Sequence, residues 1–169
     1  MPLTRTENNA LHLAAHEGHV EVVKTLLSFD HCDINAKGRW GRTAIHVACQ
    51  NGHVACIHVL MASGAQIEAW SSDTEATPLH LAADFNHPDS VKTLVDVYKA
   101  SINATNKNGR TALHWAAYRG NTDVVRVLVS NPQCDVTIRD SGGDTAADDA
   151  RSRGHEDIVA LLETKVEGK

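Results

Sequence analysis

Eleven histidines in 169 residues are the side chains of this chain best suited to chemistry. Imidazole binds divalent metals and exchanges protons near neutral pH. Their spacing argues for neither use. His12, His46, His80 and His114 follow one another at a fixed step of 34 residues. His19, His53, His87 and His155 fall on the same step, with Asn121 in the missing place. His16, His31 and His58 are scattered, and no pair combines metal-ligand spacing with a carboxylate to orient it. We read the eight recurring histidines as structural. Asp148-Asp149 resembles a carboxylate pair, but it falls where the step would place a histidine and an apolar residue. We expect it to give the last unit a solvated outer face. Gly38-Arg39-Trp40-Gly41 is a turn; no phosphate-cradling loop or nucleophile elbow is present in the sequence. No catalytic, cofactor-binding or metal residues are expected, and the chain is not expected to be an enzyme.

The histidines belong to a longer repeated peptide. Asn9-Ala10-Leu11-His12-Leu13-Ala14-Ala15 is followed by Thr43-Ala44-Ile45-His46-Val47-Ala48-Cys49. Thr77-Pro78-Leu79-His80-Leu81-Ala82-Ala83 and Thr111-Ala112-Leu113-His114-Trp115-Ala116-Ala117 come next, then a degenerate Thr145-Ala146-Ala147-Asp148-Asp149-Ala150. Asn9, Thr43, Thr77, Thr111 and Thr145 each cap a predicted helix by accepting from its first-turn amides. Gly18, Gly52, Gly120 and Gly154 end those helices in the left-handed conformation, with Asn86 as the next best choice in the third unit. A second helix follows, marked by apolar pairs one turn apart, such as Val22, Val23, Leu26 and Leu27. Polar turns such as Asn106-Lys107-Asn108-Gly109 join the units. A unit of this size cannot bury its apolar face alone, so its neighbours must stack on it.

The bulk composition agrees. The chain is 42 % hydrophobic but only 4 % aromatic, which suits thin layers of helices. Its formal charge of −5 argues against sequence-independent binding to nucleic acid. No apolar run is long enough for a bilayer, so no membrane association is expected. The cysteines, Cys32, Cys49, Cys56 and Cys134, form no Cys-x-x-Cys pair. We read all four as reduced, in a cytoplasmic or nuclear protein.

With signature, glycine, apolar helix and Asp33-Ile34-Asn35 turn recurring together, the chain resembles the ankyrin repeat family, whose hallmark is Thr-Pro-Leu-His-x-Ala. The resemblance implies an all-α repeat solenoid of about five stacked ankyrin repeats. The whole of 1–169 then reads as one array, with units at about 8–41, 42–75, 76–109, 110–143 and 144–165. It also implies that the signature imidazole bonds loop backbone across the unit boundary. The family period is about 33, so each unit carries an extra residue. Counting places it just after the second helix in units one, three and four. In unit two it lengthens the turn Trp70-Ser71-Ser72-Asp73-Thr74-Glu75, where Glu75 also stands in place of Gly41, Gly109 and Gly143. That turn is expected to take another path.

The resemblance further implies binding of another protein through turn tips and the concave first-helix face. Carried over by register, the turn residues are Lys37, Arg39, Trp40, Arg42, Asp73, Thr74, Lys107, Asn108 and Arg110. The helix residues are His16, Glu17, Gln50, Asn51, Asp84, Phe85, Tyr118 and Arg119. Trp70 joins them as an aromatic in a turn, where polar residues are usual. This surface reads as locally basic, which points to a partner with acidic groups beside apolar anchors. The expected state is a monomer without cofactors. The alternative is a scaffold segment of a larger enzyme, channel or ubiquitin-ligase adaptor. The first unit lacks a capping pattern. Either Met1 to Asn9 folds over that edge or the chain is cut from a longer array, the reading we favour.

Overall fold

The computed structural model describes residues 8–167. The edge-covering role considered for Met1 to Asn9 therefore falls mostly outside the described residues. Within them, ten α-helices run as five pairs. The first helices are α1 (Ala10–Glu17), α3 (Ala44–Gln50), α5 (Pro78–Asp84), α7 (Ala112–Arg119) and α9 (Ala146–Ser152). The second helices are α2 (Val20–Leu27), α4 (Val54–Ala62), α6 (Pro88–Lys92), α8 (Thr122–Ser130) and α10 (Glu156–Glu167). Each first helix packs on the next first helix, and each second helix on the next second helix. The array is thus two parallel rows with a shared core. Val23, Ile57, Val91, Val125 and Val159 form one buried column of it, and Leu60, Leu94, Leu128 and Leu162 another.

All five first helices begin with a capping box. The signature histidine is its second half. The Thr43 amide donates to His46 Nδ1 at 3.2 Å, while His46 Nε2–H donates to the Ala76 carbonyl at 3.0 Å. His80 and His114 repeat the arrangement, reaching the Arg110 and Asp144 carbonyls at 2.9 and 3.1 Å. Asp148 takes the histidine's place in the last box and accepts from the Thr145 amide at 3.0 Å. The second histidine series fixes the same boundary from the other side. His53 and His87 Nε2 donate to the His16 and Gln50 carbonyls, both at 2.9 Å, and the Asn121 amide group donates to the Ala83 carbonyl at 2.7 Å. The glycines make room for these rings. A Cβ on Gly52 would lie 2.5 Å from His87 Nδ1. A third tie uses the asparagine of the inter-unit turn: Asn35 accepts from the Gln66 amide, and Asn103 from the Asp135 amide, each at 3.0 Å.

The supernumerary residue is absorbed in different ways. In unit three it does not lie after the second helix, as counting suggested, but within its last turn. Thr93–Val97 is π-helical, closed by the Ala100 amide on the Leu94 carbonyl at 2.9 Å. In units one and four the loop after the helix takes it, with amide-to-carbonyl bonds from Cys32 to Phe29 and from Cys134 to Asn131. The turn before unit three keeps its expected extra residue and is wider by it, with the Glu75 amide on the Ser71 carbonyl four residues back where Gly109 reaches Asn106 three back, but strain at Glu75 is not the cause. Glu75 adopts the left-handed conformation itself, φ 57°, in the manner of Gly41 and Gly109. The Ser71 amide still closes the turn on the Ala76 carbonyl at 3.0 Å, as Asn106 does on Arg110 at 2.9 Å. Thr77 and Pro78 start the next helix as the sequence indicates.

Asp149 also departs from expectation. It is 7 % exposed and faces inward, forming an ion pair with Arg110 at the start of the preceding unit, so it is not part of a solvated outer face. The cause is register: it occupies the site held by Val47 and Leu81 in earlier units, which points at the neighbour.

Candidate protein-binding face

The turn tips form one continuous row. Each tip donates to the one before it: Ser72 amide to Trp40 carbonyl at 2.8 Å, Lys107 to Thr74 at 3.2 Å, and Ser141 to Asn108 at 2.9 Å. Side chains on these tips are therefore held at fixed mutual spacing. The first tip is the most constrained. Trp40 is a non-glycine residue at φ 57°, followed by Gly41 at φ 68°. Its ring lies between two guanidinium groups, with Arg39 4.2 Å and Arg42 4.8 Å from the ring centroid. These cation–π contacts help hold a backbone conformation that costs an L-residue roughly 1–2 kcal/mol. Trp40 remains 50 % exposed and Trp70 55 %.

The basic character read from sequence is largely neutralised. Arg42 pairs with Asp73 at 3.6 Å and donates to Gln50 Oε1 at 2.6 Å. Arg110 pairs with Asp140 at 3.3 Å and with Asp149. Arg119 grips Asp84 through Nε and Nη2, at 2.6 and 3.2 Å. Asn51 is turned back to the Val47 carbonyl at 2.8 Å. Lys107 Nζ donates to the Asp73 carbonyl. Among the described residues, Lys37, Arg39, Lys107 and Arg153 have no carboxylate within ion-pair distance on this face. Burial first, against the pull of Arg110, raises the Asp149 pKa.

Between the third and fifth units the face is hollowed twice. One hollow of about 200 Å³ is lined by Thr74, Asp84, Asn106, Asn108, Arg110, Trp115, Tyr118 and Arg119. The other, about 470 Å³ and open, is lined by Tyr118, Arg119, Ser152, Arg153 and His155. Tyr118 is stacked between Arg153, at 4.2 Å, and Arg110, at 5.2 Å. The structure thus brings Thr74, Asp84, Asn108, Arg110, Tyr118 and Arg119 together. Lys37, Arg39, Trp40, Arg42 and Gln50 group around the first tip. Phe85, 46 % exposed, lines neither hollow.

Three contributors were missed by sequence reasoning. Trp115, which follows the signature histidine His114, stacks edge-on against His80 at 5.3 Å and lines the first hollow. Ser152 and Arg153 lie one 34-residue step beyond Tyr118 and Arg119. Continuing the register into the last unit would have found them.

No group of three or more His, Cys, Asp or Glu among the described residues is placed to hold an ion. Family-level comparison matches "Ankyrin repeats (3 copies)" over residues 2–70 and 79–167. The related description "Ankyrin repeats (many copies)" matches residues 52–95. The chain belongs to the ankyrin repeat family. Its ankyrin units are the helix pairs described above, and ankyrin repeats are in general protein–protein interaction modules that are typically non-catalytic. Comparison with curated proteins finds no match. No described helix of this ankyrin array is long and apolar enough to cross a membrane.

Proposed function

We propose that this ankyrin array is a non-enzymatic adaptor, acting as a monomer, that binds another protein across its tip-and-first-helix face. The observation that carries the reading is the row of backbone-bonded tips flanking the two hollows around Tyr118. It presents aromatic and arginine side chains, the types that dominate interface energetics, on a rigid support. A rigid support lowers the ordering cost of association. The contact residues would be drawn from Lys37, Arg39, Trp40 and Arg42 at one end and from Lys107, Asn108, Arg110, Tyr118 and Arg119 at the other. The four cysteines, which form no Cys-x-x-Cys pair, suit a cytoplasmic or nuclear setting. The net charge of −5 speaks against nucleic acid as the partner. The test is affinity capture with wild-type protein and with a Trp40→Ala/Tyr118→Ala double variant. Partners recovered by the wild type should be lost with the variant, while its melting curve stays cooperative. Equal recovery by both proteins rules out this face.

A further inference from the structure

We propose that the two hollows beside Tyr118 read one partner segment in two steps: an apolar side chain against Trp115 and a carboxylate or phosphate against Arg153. The inference rests on the protein-binding reading of this face and adds the partner's chemistry.

The hollows share Tyr118 and Arg119 as a common wall, so a single extended segment crossing that ridge meets both. They differ in charge. Around the first, Arg110 is committed to Asp140 and Asp149, and Arg119 to Asp84. What remains is the indole of Trp115 and the ring of Tyr118 among neutral Thr74, Asn106 and Asn108, with no uncommitted charge, which suits an apolar group better than an ion. In the second, the Arg153 guanidinium lies over the Tyr118 ring at 4.2 Å and has no carboxylate partner among the described residues. A guanidinium stacked on an aromatic face keeps its in-plane N–H groups free. Those are the donors that engage a carboxylate or phosphate in bidentate fashion. The Asp84 pair uses Nε and Nη2 of Arg119 and leaves its Nη1 as a further donor on the shared wall. Carboxylate and phosphate each present a pair of acceptor oxygens to such a fork, so both fit. A polyanion fits less well, because the chain as a whole carries −5.

The test uses the whole chain and a displayed library of random linear peptides selected on the wild-type protein. Enriched peptides are synthesised as selected, with the acidic residue changed to its amide, and with phosphoserine in its place. Each is titrated against wild type, Arg153→Gln, Arg153→Lys and Tyr118→Ala. Enriched peptides should carry Asp or Glu within a few positions of an apolar residue. The amide change and Arg153→Gln should each weaken binding about tenfold. Together they should cost little more than either alone, and Arg153→Lys should fall between. The phosphoserine form separates the sources: tighter binding marks a phosphate site, weaker binding a carboxylate site. Peptides that need Tyr118 but ignore both the amide change and Arg153→Gln would overturn the anion site and leave the binding face standing. Peptides indifferent to Tyr118→Ala as well, or the absence of any enrichment, would overturn both. Equal competition by a single-stranded RNA of similar length would also overturn the peptide reading. Arg153 is exposed, so its variants should melt with wild type, and that measurement separates lost recognition from lost fold.

Discussion

His46 and His80 work only as neutral imidazoles, because Nδ1 must accept from a cap amide while Nε2–H donates across the unit boundary. Burial, the largest influence, lowers both pKa values to about 4, against 6.5 for the free side chain. His12 and His114 are lowered as well, again chiefly by burial. As pH falls, the unfolded chain takes up these protons near 6.5, while the folded chain resists at all four sites, until about 4 at His46 and His80. The contribution is therefore complete above pH 6.5, declines through that window and levels off below it. Each buried imidazole adds a slope of up to about 1.4 kcal/mol per pH unit. Asp149 opposes this, since its raised pKa favours the folded chain on acidification, but it is one group against four. Urea midpoints measured from pH 7.5 to 4.5 should fall steeply below pH 6.5, and a flat profile would contradict the assignment. Ser90 offers an independent test. It is fully buried where other units carry Cys56, Val124 and Ile158, and its hydroxyl has no partner among the described residues. Ser90→Ala should stabilise by about 1 kcal/mol, since an unsatisfied buried hydroxyl costs that much or more. A lower melting temperature for the variant would show that the hydroxyl is in fact bonded.

The helix-ending glycines serve two separable purposes. Gly120 and Gly154 share the left-handed conformation, φ 77° and 76°. A Cβ on Gly120 would sit 2.6 Å from the His155 ring, whereas one on Gly154 meets nothing within 4 Å. Gly154→Ala should thus cost about 1–2 kcal/mol for conformation alone. Gly120→Ala should cost about 1–3 kcal/mol more, because the ring that seals the boundary must move. Equal losses in chemical denaturation would mean the histidine packs elsewhere. Glu75→Gly should run the other way and stabilise by about 1 kcal/mol, and destabilisation would show that the side chain is held for another reason. The caps, the glycines and the Asn86 substitution were all legible from the 34-residue step. What the step could not show is how an extra residue is accommodated, because a π-turn at Thr93–Val97 and a longer loop count alike. Nor did the strain at Glu75 reroute its turn. That turn is held by its own closing bond and by the Lys107 amide on Thr74, so a small penalty is tolerated. The pairing of the arginines was hidden for a related reason. Arg119 meets Asp84 and Arg110 meets Asp149 from adjacent units, and Arg42 meets Asp73 from the opposite end of its own unit, so a local pattern never places them together.

Stacking makes the molecule close to one-dimensional, so its stability is roughly a sum of unit terms and boundary terms. Inner units are tied at both faces by the two histidine series, by the turn asparagines and by buried second-helix columns. Among the described residues, the first unit is tied at one. Its residues Leu13 and Val22 are 57 % and 47 % exposed, while their counterparts Val47 and Cys56 are 7 % and 0 %. The last unit is tied back by Arg110 to Asp149 and by the Thr122 hydroxyl to Asp157 at 2.7 Å, in addition to its apolar column. Opening should therefore begin at the first unit. Amide hydrogen exchange should be fastest from Leu11 to Leu27, slowest from Ile57 to Met61 and Val91 to Val95, and intermediate in the fifth unit. The coupling can be loosened at one boundary. His53→Ala removes the bond to the His16 carbonyl and the ring packed on Gly18. It should speed exchange in α1 and α2 severalfold while leaving α7 and α8 near wild type. Uniform protection along the array, or equal acceleration in all units of the His53→Ala variant, would show a single cooperative block in place of a chain of boundaries.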